Sequence, residues 1–353
     1  MSDKIAAIVV TYNSGEYIRP CIESLRDQTI PVRIIVVDNA SSDDSAITAM
    51  ELGAELVESG ANLGYAGGNN IGVARALQDP EVEYILLMNP DAVADRRLIE
   101  ELVASLSQDE KRAVTQAKMF LTREPELLNA AGICHHYLYF GYCDKYHHPD
   151  SDAVDREIAV ASGACMMIRR TVIEELGYLF DDEFFMYHED SDFCIRALLR
   201  GYKCVLSAKA LAWHDYRFGS SAYKYYHMEK NRLYLMLQNY RAFTLALLLP
   251  AIVFTEMQVL FFSVIKGWVG AKIKSYFWLA ANLGKVMDSR SRVQKNRVVG
   301  DLELLKQFVP DITFPELANP LVRYITDPIL TAYLAPVKWA VRLVYGKGVK
   351  NAG

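Results

Sequence analysis

The chain has 353 residues, 52% of them hydrophobic and 23% charged, enough to bury a large core and to add an appendage to one big domain. Its formal net charge of -5 excludes a general nucleic-acid binder, since such proteins carry excess basic residues to neutralise phosphates. The six cysteines, Cys21, Cys134, Cys143, Cys165, Cys194 and Cys204, form no C-x-x-C pair. That spacing argues against a zinc ribbon or a disulfide framework and points to a reducing compartment.

The apolar run Ile5 to Val10 is cut off by Thr11-Tyr12-Asn13, too soon for a signal-peptide core, so the N-terminal half is expected to stay cytosolic. With Ile34 to Val37, Glu55 to Glu58 and Tyr84 to Met88 it reads as a set of buried strands. Helices are expected near Tyr17 to Gln28, Ser45 to Leu52, Asn70 to Leu77 and Arg96 to Leu106. The alternation predicts an α/β fold, a mostly parallel sheet flanked by crossover helices. Polar residues follow each strand, at the carboxyl edge where open α/β sheets bind ligands.

Phe120 to Asp155, irregular and rich in Tyr and His, is expected to be a loop-rich, acceptor-facing region. Ala159 to Arg169 resumes as strand, Thr171 to Leu176 and Asp190 to Leu199 read as helices, and Cys204 to Leu206 as a last strand. Beyond Tyr240 the composition shifts: Ala242 to Ile265 is almost wholly apolar, and about 20 such residues suffice to cross a bilayer. Pro250, Glu256 and Gln258 argue equally for an interfacial helix. Lys266, Lys272, Lys274, Lys285, Arg290, Arg292, Lys295 and Arg297 follow, mixed with Trp268, Tyr276, Phe277 and Trp278, which suits an anionic cytoplasmic leaflet. The plainer alternative is a helical subdomain packed on the core or on a second subunit, which leaves a homo-oligomer open. The expected division is a catalytic domain over 1–240 and a helical, membrane-associating region over 241–353.

Among residues that carry chemistry, the stretch Ala61 to Gly72 offers glycines for close backbone approach and uncharged asparagine donors. A dinucleotide fingerprint would open the first βα turn with G-x-G-x-x-G; here that turn is T-Y-N-S-G, which argues against an NAD or FAD enzyme. Asp38 closes a strand where a carboxylate can meet a base or ribose, while Ser41, Ser42 and Asp43 read equally as helix caps. In Asn89-Pro90-Asp91 one carboxylate can share a divalent cation with a diphosphate, although N-P-D is also an ordinary turn. Glu189, Asp190 and Asp192 crowd three carboxylates into four residues, which raises at least one pKa toward the range of a general base; acids at a helix start are also common dipole partners. His214 follows the last expected strand, again at the ligand edge.

Taken in order, I-V-V-T-Y-N, V-V-D-N-A-S-S-D, A-N-L-G-Y-A-G-G-N-N-I-G, L-M-N-P-D-A, S-G-A-C-M-M-I-R-R, H-E-D-S-D-F-C-I-R-A and W-H resemble the motifs of family-2 glycosyltransferases with the GT-A fold. The likeness covers roughly residues 5 to 240 and is strongest to rhamnosyltransferase-like and galactofuranosyltransferase-like members. It implies that Thr11, Tyr12 and Asp38 hold the nucleoside, that Asn62, Gly64, Gly67 and Asn70 line the donor site, and that Asp91 binds Mg2+ or Mn2+. His214 would be a further metal or diphosphate contact, and Asp190 the catalytic base with Glu189 shaping its field and the acceptor site. Asn89 departs from the pattern, since many members have aspartate at that first position of D-x-D, which bears on metal affinity. The implied reaction is an inverting transfer from a nucleotide-sugar donor, dTDP-L-rhamnose or else UDP-galactofuranose or another UDP-sugar. The acceptor would be a saccharide, lipid-linked at the inner face of the cell membrane, in surface polysaccharide assembly. Two other readings stand beside it: a sugar-phosphate nucleotidyltransferase, which should carry a basic Gly-rich first loop that T-Y-N-S-G lacks, and a non-catalytic membrane scaffold.

Overall fold

The computed structural model describes residues 4–216, 219, 221–312, 320 and 322–345. The chain divides into two compact units, one of residues 1–133, 143–197 and 202–218, the other of 134–142, 198–201 and 219–353. The helical unit thus begins ahead of residue 240, and of its tail, residues 313–319, 321 and 346–353 lie outside the described residues.

The first unit alternates strand and helix from its start. β1 (Ile5–Thr11), β2 (Arg33–Asp38), β3 (Glu55–Glu58) and β4 (Tyr84–Met88) coincide with the expected strands and pair in parallel in the order β4-β1-β2-β3. β1, β2 and β4 hold because apolar residues buried on both faces favour central parallel strands, whereas β3, expected to be buried, closes the edge of the sheet and is only partly covered. α1 (Ile18–Arg26) covers them with Ile18, Cys21, Ile22 and Leu25, an i, i+3, i+4, i+7 stripe that is wholly buried. α2 (Ser45–Glu51) follows.

α3 (Gly64–Ala76) begins six residues before the expected helix at Asn70. Glycine disfavours helix, so the sequence Gly64 to Gly72 reads as loop. Packing overrides that preference: a Cβ on Gly72 would overlap Ile8 Cγ2 of β1, so glycine there lets helix and strand approach closely.

β5 (Ala92–Ala94), α4 (Leu98–Leu106), β6 (Arg112–Leu121) and β7 (Leu128–Ala130) come next, and β8 (Ile133–His135) and β9 (Gly141–Cys143) form a separate two-stranded sheet. The stretch expected as loop is therefore partly strand, and Leu128, Asn129 and Ala130 are buried. β10 (Arg156–Ile158), β11 (Cys165–Arg169), α5 (Arg170–Leu176), α6 (Glu189–Leu199) and β12 (Lys203–His214) complete the series. β11 runs antiparallel between β4 and β6, and the sheet order is β10-β12-β6-β11-β4-β1-β2-β3.

Two expectations change here. The strand expected over 159–169 starts only at Cys165, because Ser162-Gly163 turns aside to donate from Ser162 N to Gln116 Oε1 (2.6 Å) and from Gly163 N to Asp190 Oδ2 (3.0 Å). The strand expected at Cys204 to Leu206 runs on to His214, which therefore ends β12 rather than following it. A register shift between Leu206 and Leu211 carries β12 past Ser207 and Lys209, whose polarity breaks the apolar pattern.

The second unit contains α7 (Ala222–Asn239), α8 (Ala242–Ile265), α9 (Val269–Ala281), α10 (Leu283–Asn296), α11 (Asp301–Gln307) and α12 (Asp327–Tyr345). Its interior holds a cluster of alternating charge. Arg232 Nη2 on α7 meets Glu229 (2.8 Å) and Glu256 of α8, while Lys272 of α9 meets Glu256 (2.7 Å) and Glu229. Tyr276 Oη donates to Glu256 (2.6 Å), and the Arg232 guanidinium lies over the Phe140 ring, 4.2 Å from its centroid. All six cysteines are free thiols.

Candidate active site

The parallel strands end at one edge, and the site is built there. Thr11 and Asp38 are register partners at the tips of β1 and β2. Asp38 is buried; its Oδ2 accepts from Ser41 N (3.0 Å), whereas Oδ1 has no partner among the described residues. Thr11 Oγ1 and Asn39 Oδ1 are likewise buried and unpartnered. Buried polar atoms are almost always hydrogen-bonded in a native state, so three such orphans side by side mark a place that a polar ligand or water completes. Asp38 and Asn39 offer acceptors, suited to ribose hydroxyls or a base N–H. Tyr12 stands half exposed beside them.

The second cluster sits at the ends of β4 and β12. His214 Nε2 lies 3.1 Å from Asp91 Oδ1 and 3.4 Å from Asn89 Nδ2, while its Nδ1 lies 2.9 Å from Asn129 Oδ1. An amide oxygen only accepts, so Nδ1 carries the proton and Nε2 turns its lone pair outward. Nε2 then presents its lone pair beside the Asp91 carboxylate oxygen, two donor atoms that one cation can share. A buried imidazole oriented by a second polar group is how metal-binding histidines are held. The residues fit a divalent ion that takes one or two protein donors and completes its shell with diphosphate and water. Among the described residues no group of three or more His, Cys, Asp or Glu side chains could enclose an ion by itself.

The third cluster opens α6. Asp190 is half-buried; Oδ2 accepts from Gly163 N, and Oδ1 accepts from Ser191 N (2.6 Å) and Ser191 Oγ (3.2 Å). Burial pushes its carboxyl up from the ordinary range, against the pull of those backbone donors. Glu189 is buried with Oε2 unpartnered, and burial together with the Asp190 charge drives its carboxyl well up. Asp192 is spent on structure: fully buried, it pairs with Arg196 (2.7 Å), which in turn donates to Tyr178 O and Leu179 O.

Backbone joins the clusters. Asn89 N donates to Ala164 O (2.9 Å), and the neighbouring Gly163 holds Asp190, so Asp91, His214 and Asp190 flank the same β4–β11 edge. Tyr65 of α3 donates to Gly163 O (2.6 Å) and so fixes the residue whose N–H holds Asp190.

The other expected donor-site residues have structural duties in this unit. Asn62 Oδ1 accepts from Gly64 N (3.0 Å) at the helix start. Gly67 is buried against Leu63, and Asn70 clasps Phe180 through both amide atoms (2.8 and 3.0 Å) and donates to Asp182 (2.7 Å). Gly64 sits between the clusters: Asn39 Nδ2 donates to its carbonyl (2.8 Å), and a Cβ there would overlap the carbonyl of Phe185. Its φ of +71° adds strain for any other residue. Gly64→Ala should therefore lower the unfolding midpoint by the equivalent of about 1–3 kcal/mol and depress turnover. Gly60→Ala, with φ +75° and nothing within 4 Å, isolates backbone strain from the clash; equal losses in thermal denaturation would refute a role for the Phe185 contact.

Sequence reasoning passes over Asn129, Gly163 and Tyr65. Gly163 and Tyr65 stand inside the motifs S-G-A-C and A-N-L-G-Y without a role of their own, and Asn129 carries no local signal; the partners of Asn129 and Tyr65 lie 85 and 98 positions away.

Comparison with known proteins fits this geometry. Residues 6–177 match the family model described as Glycosyl transferase family 2. The chain is 30% identical over 197 residues to the low-salt glycan biosynthesis hexosyltransferase Agl10 of Haloferax volcanii, a match covering 56% of this chain and 62% of that protein. It is 25% identical over 242 residues to the N-acetylglucosaminyl-diphospho-decaprenol L-rhamnosyltransferase of Mycobacterium tuberculosis, covering 61% of this chain and 76% of the relative. Among solved structures, GalNAc-T7 with UDP, GalNAc and Mn2+ superposes with a TM-score of 0.54 at 15% identity, over 66% of this chain and 47% of that one. The likeness is one of fold, the GT-A α/β arrangement.

Proposed function

We propose that this chain, whose residues 6–177 match the glycosyl transferase family 2 model, transfers a sugar from a nucleoside-diphosphate donor to a saccharide acceptor with inversion at the anomeric carbon. The observation that carries the reading is the linked path from Asp190 through Gly163 and Ala164 to Asn89, His214 and Asp91. Asp190 takes the proton of an acceptor hydroxyl, the oxygen bonds to the anomeric carbon, and the bond from that carbon to the diphosphate oxygen breaks. One displacement inverts the centre. Glu189, buried beside Asp190, shapes the field around the base and the acceptor site. Asp38 and Thr11 orient the nucleoside, with Tyr12 beside them. Asp91 and His214 would hold Mg2+ or Mn2+, which when bound neutralises charge gathering on the departing diphosphate.

The donor we favour is dTDP-L-rhamnose, on the motifs that resemble rhamnosyltransferases and on the likeness to the mycobacterial L-rhamnosyltransferase. UDP-sugars, galactofuranose included, form the second arm. A lipid-linked saccharide is the acceptor class we favour, which would place the chain on the inner face of a cell membrane through its helical unit. Thermal shift against a panel of dTDP- and UDP-sugars, with and without manganese, tests donor and metal together, because a ligand of the native state raises the unfolding midpoint. The expected result is stabilisation by one nucleotide class that grows with manganese, and loss of the manganese increment in Asp91→Ala. Equal stabilisation with and without metal in both proteins would refute the Asp91 site.

A further inference from the structure

Helix α8 is turned inside out. Every polar side chain on it faces inward: Thr244, Thr255 and Ser263 are buried, Glu256 is ion-paired, and Gln258 accepts from the buried Thr326 (3.1 Å). Its outer row is apolar at every fourth residue, Leu249, Val253, Met257, Phe261 and Ile265, with Met257 68% and Phe261 64% exposed. The row does not end with the helix. Tyr333 Oη donates to Leu247 O (2.7 Å) and the Tyr345 ring meets Phe243, so α12 lies alongside and adds exposed Trp339, Leu343 and Val344. α9, joined to α8 through Lys272, adds Ile273 and Phe277, the latter 71% exposed. Contiguous apolar faces of this kind mark a binding surface.

The charges around the face choose the occupant. Lys266 follows the last turn of α8, Lys274 and Arg342 are exposed on the adjoining α9 and α12, and Lys285, Arg292 and Lys295 are exposed on α10, which packs on α7 and α9. Across α8 to α10 the carboxylates are Glu256, which is paired, and Asp288. A second copy laid face to face would bring like charges together. Anionic headgroups would meet cations at the rim while acyl chains meet the apolar row. The depth follows from the middle of the helix: Glu256 is held by Arg232 of α7 and Lys272 of α9, so a crossing would drag the exposed Lys274 and the half-buried Lys224 into hydrocarbon.

We infer that α8, with the outer faces of α9 and α12, lies in the plane of one leaflet of an anionic bilayer and does not cross it. This rests on the membrane reading above, and is independent of which sugar is transferred. The full chain is mixed with vesicles of phosphatidylcholine alone or with added phosphatidylglycerol and floated on a density gradient. Binding should be about tenfold stronger to the anionic vesicles and weaken at high salt. Met257→Asp with Phe261→Asp should abolish flotation while leaving the nucleotide-induced thermal shift intact. That readout keeps loss of fold, or failure of the glycosyltransferase reading, separate from failure of the membrane site. Flotation of the double variant, no flotation of the native chain, or a dimer in analytical ultracentrifugation that the double variant dissolves would each overturn the inference. Probes at Leu249→Cys, Met257→Cys and Ile265→Cys should report equal depth by brominated-lipid quenching; a maximum at 257 would mean a crossing.

Discussion

Asp190→Asn is expected to lower kcat by about 10² to 10⁴ while nucleotide binding stays near that of the native protein. Asparagine has the same shape but a single acceptor oxygen, so it keeps the bond from Ser191 N or the bond from Gly163 N and loses the other, together with the capacity to take a proton. Free nucleoside diphosphate released from the donor measures the loss, and near-normal turnover would refute the assignment. The pH profile carries a second sign. The Asp190 carboxyl is held above the ordinary range by burial, so turnover should fall as pH drops through that raised value, ahead of an exposed carboxylate near 4. Glu189→Gln should leave this acid limb in place, because burial and not Glu189 raises the Asp190 carboxyl, while the Glu189 carboxyl, driven higher still, is uncharged through that range. Its effect on folding has a definite window. A carboxyl raised in the folded state contributes its full stability below the unfolded pKa and loses it as pH rises through the folded value. Glu189→Gln should therefore raise the melting temperature most at high pH, with the gain fading below about pH 4.

Lys272→Met should destabilise the helical unit by about 3–5 kcal/mol, measured by chemical denaturation followed through helix content. Lys272 is fully buried and bonds both Glu229 and Glu256; without it two carboxylates share only Arg232. Burial alone would raise the Glu229 carboxyl, but Arg232 and Lys272 hold it down to about 2. A depressed carboxyl contributes stability that is present above its unfolded pKa, so native protein should lose this share between about pH 4 and pH 2, and the variant should show less acid sensitivity there. Replacing all four charged residues by apolar ones of similar volume should cost far less than removing one, because no charge is left buried alone. A loss below 1 kcal/mol from Lys272→Met would mean that the cluster is not the anchor of this unit.

The legible part of this molecule is the part governed by local chemistry. β1, β2 and β4 are visible because continuous apolar runs admit few alternatives. The acids of α6 are visible because three carboxylates in four residues repel, although acids at a helix start are also ordinary dipole partners. Even there the geometry separates roles that composition leaves equal: Asp192 pairs with Arg196, and Asp190 does not. α3 is hidden by its own glycines, and β12 by Ser207 and Lys209. Asn129 is hidden by distance along the chain. It lies in the irregular stretch after β6, and only the folded register of β6, β7 and β12 sets it against His214. The inverted polarity of α8 is half legible. The apolar run is plain in the sequence, but that every polar residue on it points inward is a fact of packing.

Gly64 has an engineering consequence. One carbonyl there serves Asn39 on the nucleoside side, and the missing side chain makes room for Phe185 ahead of the base. A library aimed at a new donor preference would find that position closed, since any gain in fit is offset by damage to proton removal. Tyr12, half exposed and outside that shared joint, is where diversification has room to succeed.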